Sequence, residues 1–196
     1  MSWNIQHIRN IYCFGDSLTA GYGTLPGYGW VEELQRRHRN IHFYDYGLCG
    51  AGMEGIIEAM EKRLSCHTLG DGYFLMGGTN DILGGLMVSR LEGMVQDFIE
   101  KIAKSVPLVL GIPPLATEES VVQGWQAEYL YQRNQEDLVS YGTFLLEVAE
   151  KYQIPAIDFS KAFPLEDAWY SDGLHPNQKG YAKMADAAER ILFYSE

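Results

Sequence analysis

Short apolar or β-branched runs alternate along the chain with longer stretches in which apolar residues recur every three to four positions. The runs Ile11 to Phe14, Ile41 to Tyr46, Tyr73 to Met76, Leu108 to Ile112 and Pro155 to Phe159 are too short for helices and are bounded by turn residues. They predict five strands, all of them buried. Between them, Trp30 to Arg39, Met53 to Leu64, Arg90 to Lys104 and Glu128 to Tyr152 predict helices, the last with Leu138, Tyr141, Leu145 and Val148 at core spacing. In the closing segment Tyr181, Met184, Ala185, Ala188, Ile191 and Leu192 share one helical face, and Asn177 is placed to cap its start. Strand and helix in regular alternation predict βα units around a parallel sheet. The Pro- and Gly-containing stretch Ile112 to Gly124 breaks that rhythm and is expected to be an irregular insertion lending a wall to a binding site. Glu58 to Arg63 reads as a solvated helix face.

Size and charge narrow the picture. A chain of 196 residues, 46% hydrophobic and 21% charged, has the make-up of a folded globular protein and the length of one domain, residues 1–196. A net charge of −11 with no basic run opposes nucleic acid and anionic membrane surfaces as partners. Met1 to Asn10 lacks a continuous apolar segment, and no later stretch has the length of a membrane span. A cytoplasmic location without stable membrane association is expected, and composition says nothing of oligomeric state. Cys13, Cys49 and Cys66 form no C-x-x-C pair and no zinc-type spacing with the histidines, so they are expected to be buried, reduced thiols. Cys49 keeps a place as a candidate oxidation-sensitive thiol.

Candidate chemistry lies in four loops. Phe14-Gly15-Asp16-Ser17-Leu18 puts a hydroxyl directly after a strand, where turns and helix caps also commonly place serine. Ser171-Asp172-Gly173-Leu174-His175-Pro176-Asn177 sets a carboxylate three residues before an imidazole, a spacing that lets Asp172 orient His175. A hydrolytic serine needs a base titrating near neutrality and an acceptor that fixes the tautomer of that base. Gly47-Leu48-Cys49-Gly50 and Gly77-Gly78-Thr79-Asn80-Asp81 follow the second and third strands and offer backbone N–H groups and a side-chain amide, the donor types that stabilise an oxyanion. Each loop alone has an ordinary reading as a turn.

Together, in order and spacing, these blocks resemble the SGNH/GDSL hydrolase superfamily over nearly the whole chain: Gly15-Asp16-Ser17-Leu18, Gly50, Gly78-Thr79-Asn80-Asp81 and Asp172-Gly173-Leu174-His175. The resemblance implies an α/β fold, a three-layer α/β/α sandwich on a five-stranded parallel sheet in flavodoxin-like order 2-1-3-4-5. That order would bring Ser17, Gly50 and Asn80 to one carboxyl edge at the topological switch point, with the segment from Ser160 to Trp169 carrying His175 back over it. It further implies hydrolysis of carboxylic esters through an acyl-enzyme on Ser17, with Asp172 and His175 completing a triad and Ser17, Gly50 and Asn80 forming the oxyanion hole, without metal or cofactor. Asp45 and Ala51 depart from the family pattern around the oxyanion glycine, which puts the pinning of that loop in question. No G-x-S-x-G is present, since position 19 is Thr.

Two other classes remain open at this point. Gly50-Ala51-Gly52-Met53-Glu54-Gly55 is a literal G-x-G-x-x-G with Asp71 further on, a nucleotide-binding pattern, although Asp71 precedes the third strand where a ribose-binding acid should follow it. A non-catalytic binding module could also keep the fold. Among hydrolase substrates a small-molecule ester with a short-to-medium acyl or aryl group is expected, with Leu83, Leu86, Met87, Trp125 and Tyr129 as candidate walls. A carbohydrate O-deacetylase or acyl-thioesterase would use the same triad. The segment Trp169 to Asn177 is similar to the lysophospholipase/thioesterase/arylesterase branch.

Overall fold

A computed structural model of the chain describes residues 3–194. Met1, Ser2, Ser195 and Glu196, which the one-domain expectation also takes in, lie outside the described residues. Strands β1 (Asn10–Gly15), β2 (His42–Gly47), β3 (Asp71–Leu75), β4 (Leu108–Ile112) and β5 (Ala156–Asp158) form one parallel sheet in the order β2-β1-β3-β4-β5. In register, Phe14 of β1 lies between Tyr46 of β2 and Leu75 of β3, so these three strands end level with one another. The helices are α1 (Trp30–Arg37), α2 (Met53–Leu64), α3 (Thr79–Leu83), α4 (Val88–Ile102), α5 (Glu119–Val122), α6 (Glu128–Tyr152) and α7 (Gln178–Tyr194).

Side chains of a strand point alternately to its two faces, and β1 shows how that builds the layers. Tyr12 and Phe14 belong to one apolar cluster with Met53 and Ile56 of α2, Leu91 and Val95 of α4, and Leu138 and Tyr141 of α6. Ile11 and Cys13 face Trp30 and Leu34 of α1 and Tyr181 and Met184 of α7. The sheet is therefore covered on both sides, and its inner strands read as continuous apolar runs because neither face meets water. Helix α7 starts where Asn177 accepts hydrogen bonds from the Lys179 and Gly180 N–H groups at 3.0 and 3.2 Å, a cap of about 1 kcal/mol. Among the described residues no helix is long and apolar enough to cross a membrane.

The strand positions and the bounds of α2 and α6 agree with the sequence pattern, while α1 stops two residues earlier and α4 starts and ends two residues earlier than its period suggests. Helices α3 and α5, the latter inside the expected irregular insertion, are too short for any periodicity to announce them. The expectation that every strand is buried fails at β2. The strand order leaves β2 at an edge, where Phe43 turns inward while His42, Tyr44 and Tyr46 are exposed on the other face. Two of the three thiols, Cys49 and Cys66, are also exposed, because they sit in loops where residue type does not decide burial; Cys13 alone is buried, and all are free. On the charged face of α2, Glu58 and Lys62 pair in solvent, but Arg63 turns inward to Asp71.

Candidate active site

Ser17 emerges immediately beyond β1, in a tight turn where the Thr19 and Ala20 N–H groups donate to the Asp16 carbonyl, each at 3.1 Å. Its hydroxyl lies 2.9 Å from Nε2 of His175. Nδ1 of His175 lies 2.8 Å from Oδ2 of Asp172, and the other carboxylate oxygen of Asp172 accepts the backbone N–H groups of Leu174 at 3.1 Å and His175 at 2.7 Å. A carboxylate so held accepts from Nδ1–H, which leaves Nε2 as an acceptor for the hydroxyl proton of Ser17. The loop is clamped in turn. Asn177 donates to the carbonyls of Ala168 and Tyr170, and Thr117 N–H from the insertion donates to Gly173.

The second and third loops meet at the same edge. Gly50 holds φ +76°, a left-handed conformation that a side chain would resist although its own surroundings would leave room for one. At Gly78, φ +105°, both conformation and space matter, because a Cβ would strike the Tyr141 ring. The Gly50 loop, whose pinning Asp45 and Ala51 left in question, is held by Asp45 itself, which accepts the Gly47 N–H at 2.7 Å, by the Gly15 carbonyl, which accepts the Leu48 N–H at 2.8 Å, and by the third loop. Asn80 Nδ2 donates to the Ala51 carbonyl at 3.0 Å, and Asp81 accepts the Met53 N–H at 2.8 Å. The second N–H of the Asn80 amide remains for another acceptor. The backbone N–H groups of Ser17 and Gly50 meet no acceptor among the described residues.

Burial sets the electrostatics. His175 is buried, and desolvation lowers its pKa below the usual 6.5 despite the hydrogen bond and charge of Asp172. Asp16, beside the serine, is 1% exposed; burial pushes its pKa up to about 7, opposed by the Leu18 N–H and reinforced by the charge of Asp81. Burial also raises Asp81, against the Met53 N–H. Around them Asp16 Oδ2, Thr79 Oγ1 and the Tyr141 hydroxyl are buried without a partner among the described residues.

Of the five candidate wall residues, two lie at this edge. Leu86 lines an open cleft of about 480 Å³ together with Gly50, Asn80, Asp81, Glu54, Arg90 and Met94. The Trp125 ring lies 4.8 Å from the His175 imidazole. Leu83 packs against the core, Met87 is exposed at the start of α4, and Tyr129 is almost wholly exposed on α6. Tyr22, Asp16 and Arg90 also come to the edge, although the sequence gives none of them a role of its own. Tyr22 and Asp16 are betrayed only by sharing the turn of Ser17. Among the described residues no group of three or more His, Cys, Asp or Glu side chains could hold a metal ion. The acid of the G-x-G-x-x-G reading, Asp71, opens β3 at the opposite edge, where Asn10, Arg63 and Thr68 already bond its carboxylate.

A hydroxyl, an imidazole and a carboxylate in hydrogen-bonded series at the carboxyl edge of a flavodoxin-like sheet mark the SGNH class of hydrolases. Residues 13–183 match the model of the GDSL-like Lipase/Acylhydrolase family, and the chain belongs to that family. Serine-dependent ester hydrolysis is accordingly its general activity. Among solved structures it is similar to a member of the lipolytic protein G-D-S-L family from Veillonella parvula, with 26% identity over 95% of this chain and 100% of that one and a TM-score of 0.79. A lipase/acylhydrolase from Enterococcus faecalis (24% identity, 93% and 94% of the two chains, TM-score 0.75) shares the fold. So does the acetylxylan esterase Axe2 from Geobacillus stearothermophilus (17% identity, 95% of each, TM-score 0.74). A sequence comparison with curated proteins finds no significant match.

Proposed function

We propose that Ser17 is the nucleophile of this hydrolase, His175 its general base and acid, and Asp172 the group that orients the imidazole. The observation that carries the reading is the series Ser17 Oγ to His175 Nε2 at 2.9 Å and His175 Nδ1 to Asp172 Oδ2 at 2.8 Å. The Ser17 oxygen attacks the ester carbonyl as its proton passes to Nε2, and Asp172 stabilises the imidazolium that forms. The oxyanion is received by the N–H groups of Ser17 and Gly50 and the free amide N–H of Asn80. His175 then protonates the leaving alcohol, and water attacks the acyl-enzyme by the same steps in reverse.

The substrate is a small-molecule ester with a short-to-medium acyl or aryl group. Leu86 and Met94 provide limited apolar lining in a cleft that also holds Glu54, Asp81 and Arg90, which suits a short acyl group better than a long alkyl tail. Nucleic acid is opposed by the net charge of −11. A cytoplasmic site of action is in keeping with free, exposed Cys49 and Cys66. The test is hydrolysis of p-nitrophenyl esters from acetate to palmitate by the wild type and Ser17→Ala. Turnover by the wild type, best on the shorter chains and lost in the variant, supports the reading; equal turnover by both would sink it.

A further inference from the structure

The imidazole that takes the serine proton must later hand it to the departing oxygen, so the alcohol half of the ester leaves past Nε2 of the buried His175. Two aromatic side chains stand beside this imidazole. The Tyr22 ring centre lies 4.5 Å from the imidazole and the Trp125 ring 4.8 Å from it, and the two rings stand 6.1 Å apart at 85°. The two rings meet at a right angle beside the proton donor, yet Tyr22 is 48% and Trp125 40% exposed.

Both rings stand on rigid supports. Tyr22 N–H donates to the Ser17 carbonyl at 3.0 Å, and the Tyr22 carbonyl accepts from the buried Tyr181 hydroxyl at 2.7 Å. Trp125 N–H donates to the Ser120 carbonyl at 2.9 Å. Beneath it Gln126 donates to the Ser120 hydroxyl and accepts from Asn134, each at 2.8 Å, and all three of those side chains are buried. A buried polar network whose members satisfy one another fixes geometry. Here it fixes the backbone that carries Trp125, whose side chain stays partly exposed. Exposed aromatics held in place beside a reacting group, rather than scattered singly, have the form of a prearranged binding surface.

Resting on the reading of Ser17, His175 and Asp172 above, we infer that Tyr22 and Trp125 form the leaving-group subsite and that this enzyme selects esters whose alcohol carries a ring. A ring can lay its face on one aromatic wall and its edge on the other, as aromatic groups prefer. A flexible alkyl alcohol fills the corner less well and loses more rotamer freedom in doing so. An aryl alcohol and a sugar ring share this chemistry.

The experiment measures kcat/KM, which reports acylation and therefore the alcohol, on three acetates: benzyl, n-heptyl and a mono-O-acetylated methyl glucoside. Trp125→Leu keeps an apolar side chain without a ring, and Trp125→Phe restores one. The ratio of a ring-bearing acetate to n-heptyl acetate should fall three- to tenfold in Trp125→Leu and in Tyr22→Leu, and recover most of the loss in Trp125→Phe. A fall confined to the benzyl ester identifies an aromatic alcohol, and one confined to the glucoside a carbohydrate alcohol. An unchanged ratio, or an equal loss on all three acetates, overturns the subsite while Ser17-dependent turnover stands. No wild-type turnover of any acetate, or turnover that survives Ser17→Ala, would instead bring down the function on which the subsite rests.

Discussion

Strands β1 and β3 lie side by side, and a buried aspartate marks each end of the pair, yet the two carboxylates live under opposite conditions. At the amino end, Asp71 accepts from Asn10, from the Thr68 N–H and hydroxyl, and from the Arg63 guanidinium at 2.7 Å. Burial pushes its pKa up, but these partners together outweigh it and hold the group below the usual carboxylate range. At the carboxyl end, Asp16 accepts a hydrogen bond from Leu18 at 2.9 Å and is steadied by its own backbone N–H, but its second oxygen has no partner among the described residues, and burial takes its pKa to about 7. Exclusion from solvent alone therefore says little about role. The amino end is a completed network that holds the sheet together. The carboxyl end keeps donors and acceptors unspent beside a hydroxyl, which is the condition of a site that awaits a substrate.

Breaking the amino end should harm folding and spare chemistry. Arg63→Ala leaves a carboxylate buried without its cation, and loss of one member of such a pair costs about 3 kcal/mol. The denaturation midpoint should fall accordingly, with kcat on the shortest active ester unchanged. A substantial loss of kcat would erase the contrast between the ends. At the carboxyl end the reverse holds. Asn80→Ala should lower kcat about a hundredfold, as removal of an oxyanion donor does, while the midpoint moves less than in Arg63→Ala. Circular dichroism melts beside initial rates separate the two effects.

A smaller effect sharpens the contrast through pH. Asp16 keeps its proton in the folded chain up to about pH 7, whereas the unfolded chain releases it near pH 4. Its contribution is complete below about pH 4 and is lost as pH rises through about 7. Asp45, raised by burial to about 6, acts in the same direction and is common to both proteins compared. The melting temperature of Asp16→Asn relative to wild type should thus rise between pH 5 and pH 8. A constant difference would mean that Asp16 is ionised when folded.

Much of this arrangement is legible in the sequence where a signal repeats or several weak ones agree. The period of Leu138, Tyr141, Leu145 and Val148 locates α6, and four loops in order locate the edge where Ser17, Gly50, Asn80 and His175 meet. What escapes the sequence depends on neighbours remote along the chain. The outward face of β2 follows from its place at the sheet edge, and no residue within β2 encodes that place. Arg63 lies in a charged run, and only the fold reveals that Asp71 turns it inward. Tyr22 and Trp125 are 103 positions apart and meet only over His175.

The carboxyl edge should activate one serine, Ser17. Incubation with a serine-directed fluorophosphonate, followed by peptide mass mapping, tests it directly. A single adduct on Ser17 is expected in the wild type, and its loss in a folded His175→Ala variant, since the hydroxyl is not nucleophilic without its base. Failure of the folded wild type to label at Ser17, or labelling just as fast without His175, would contradict that activation.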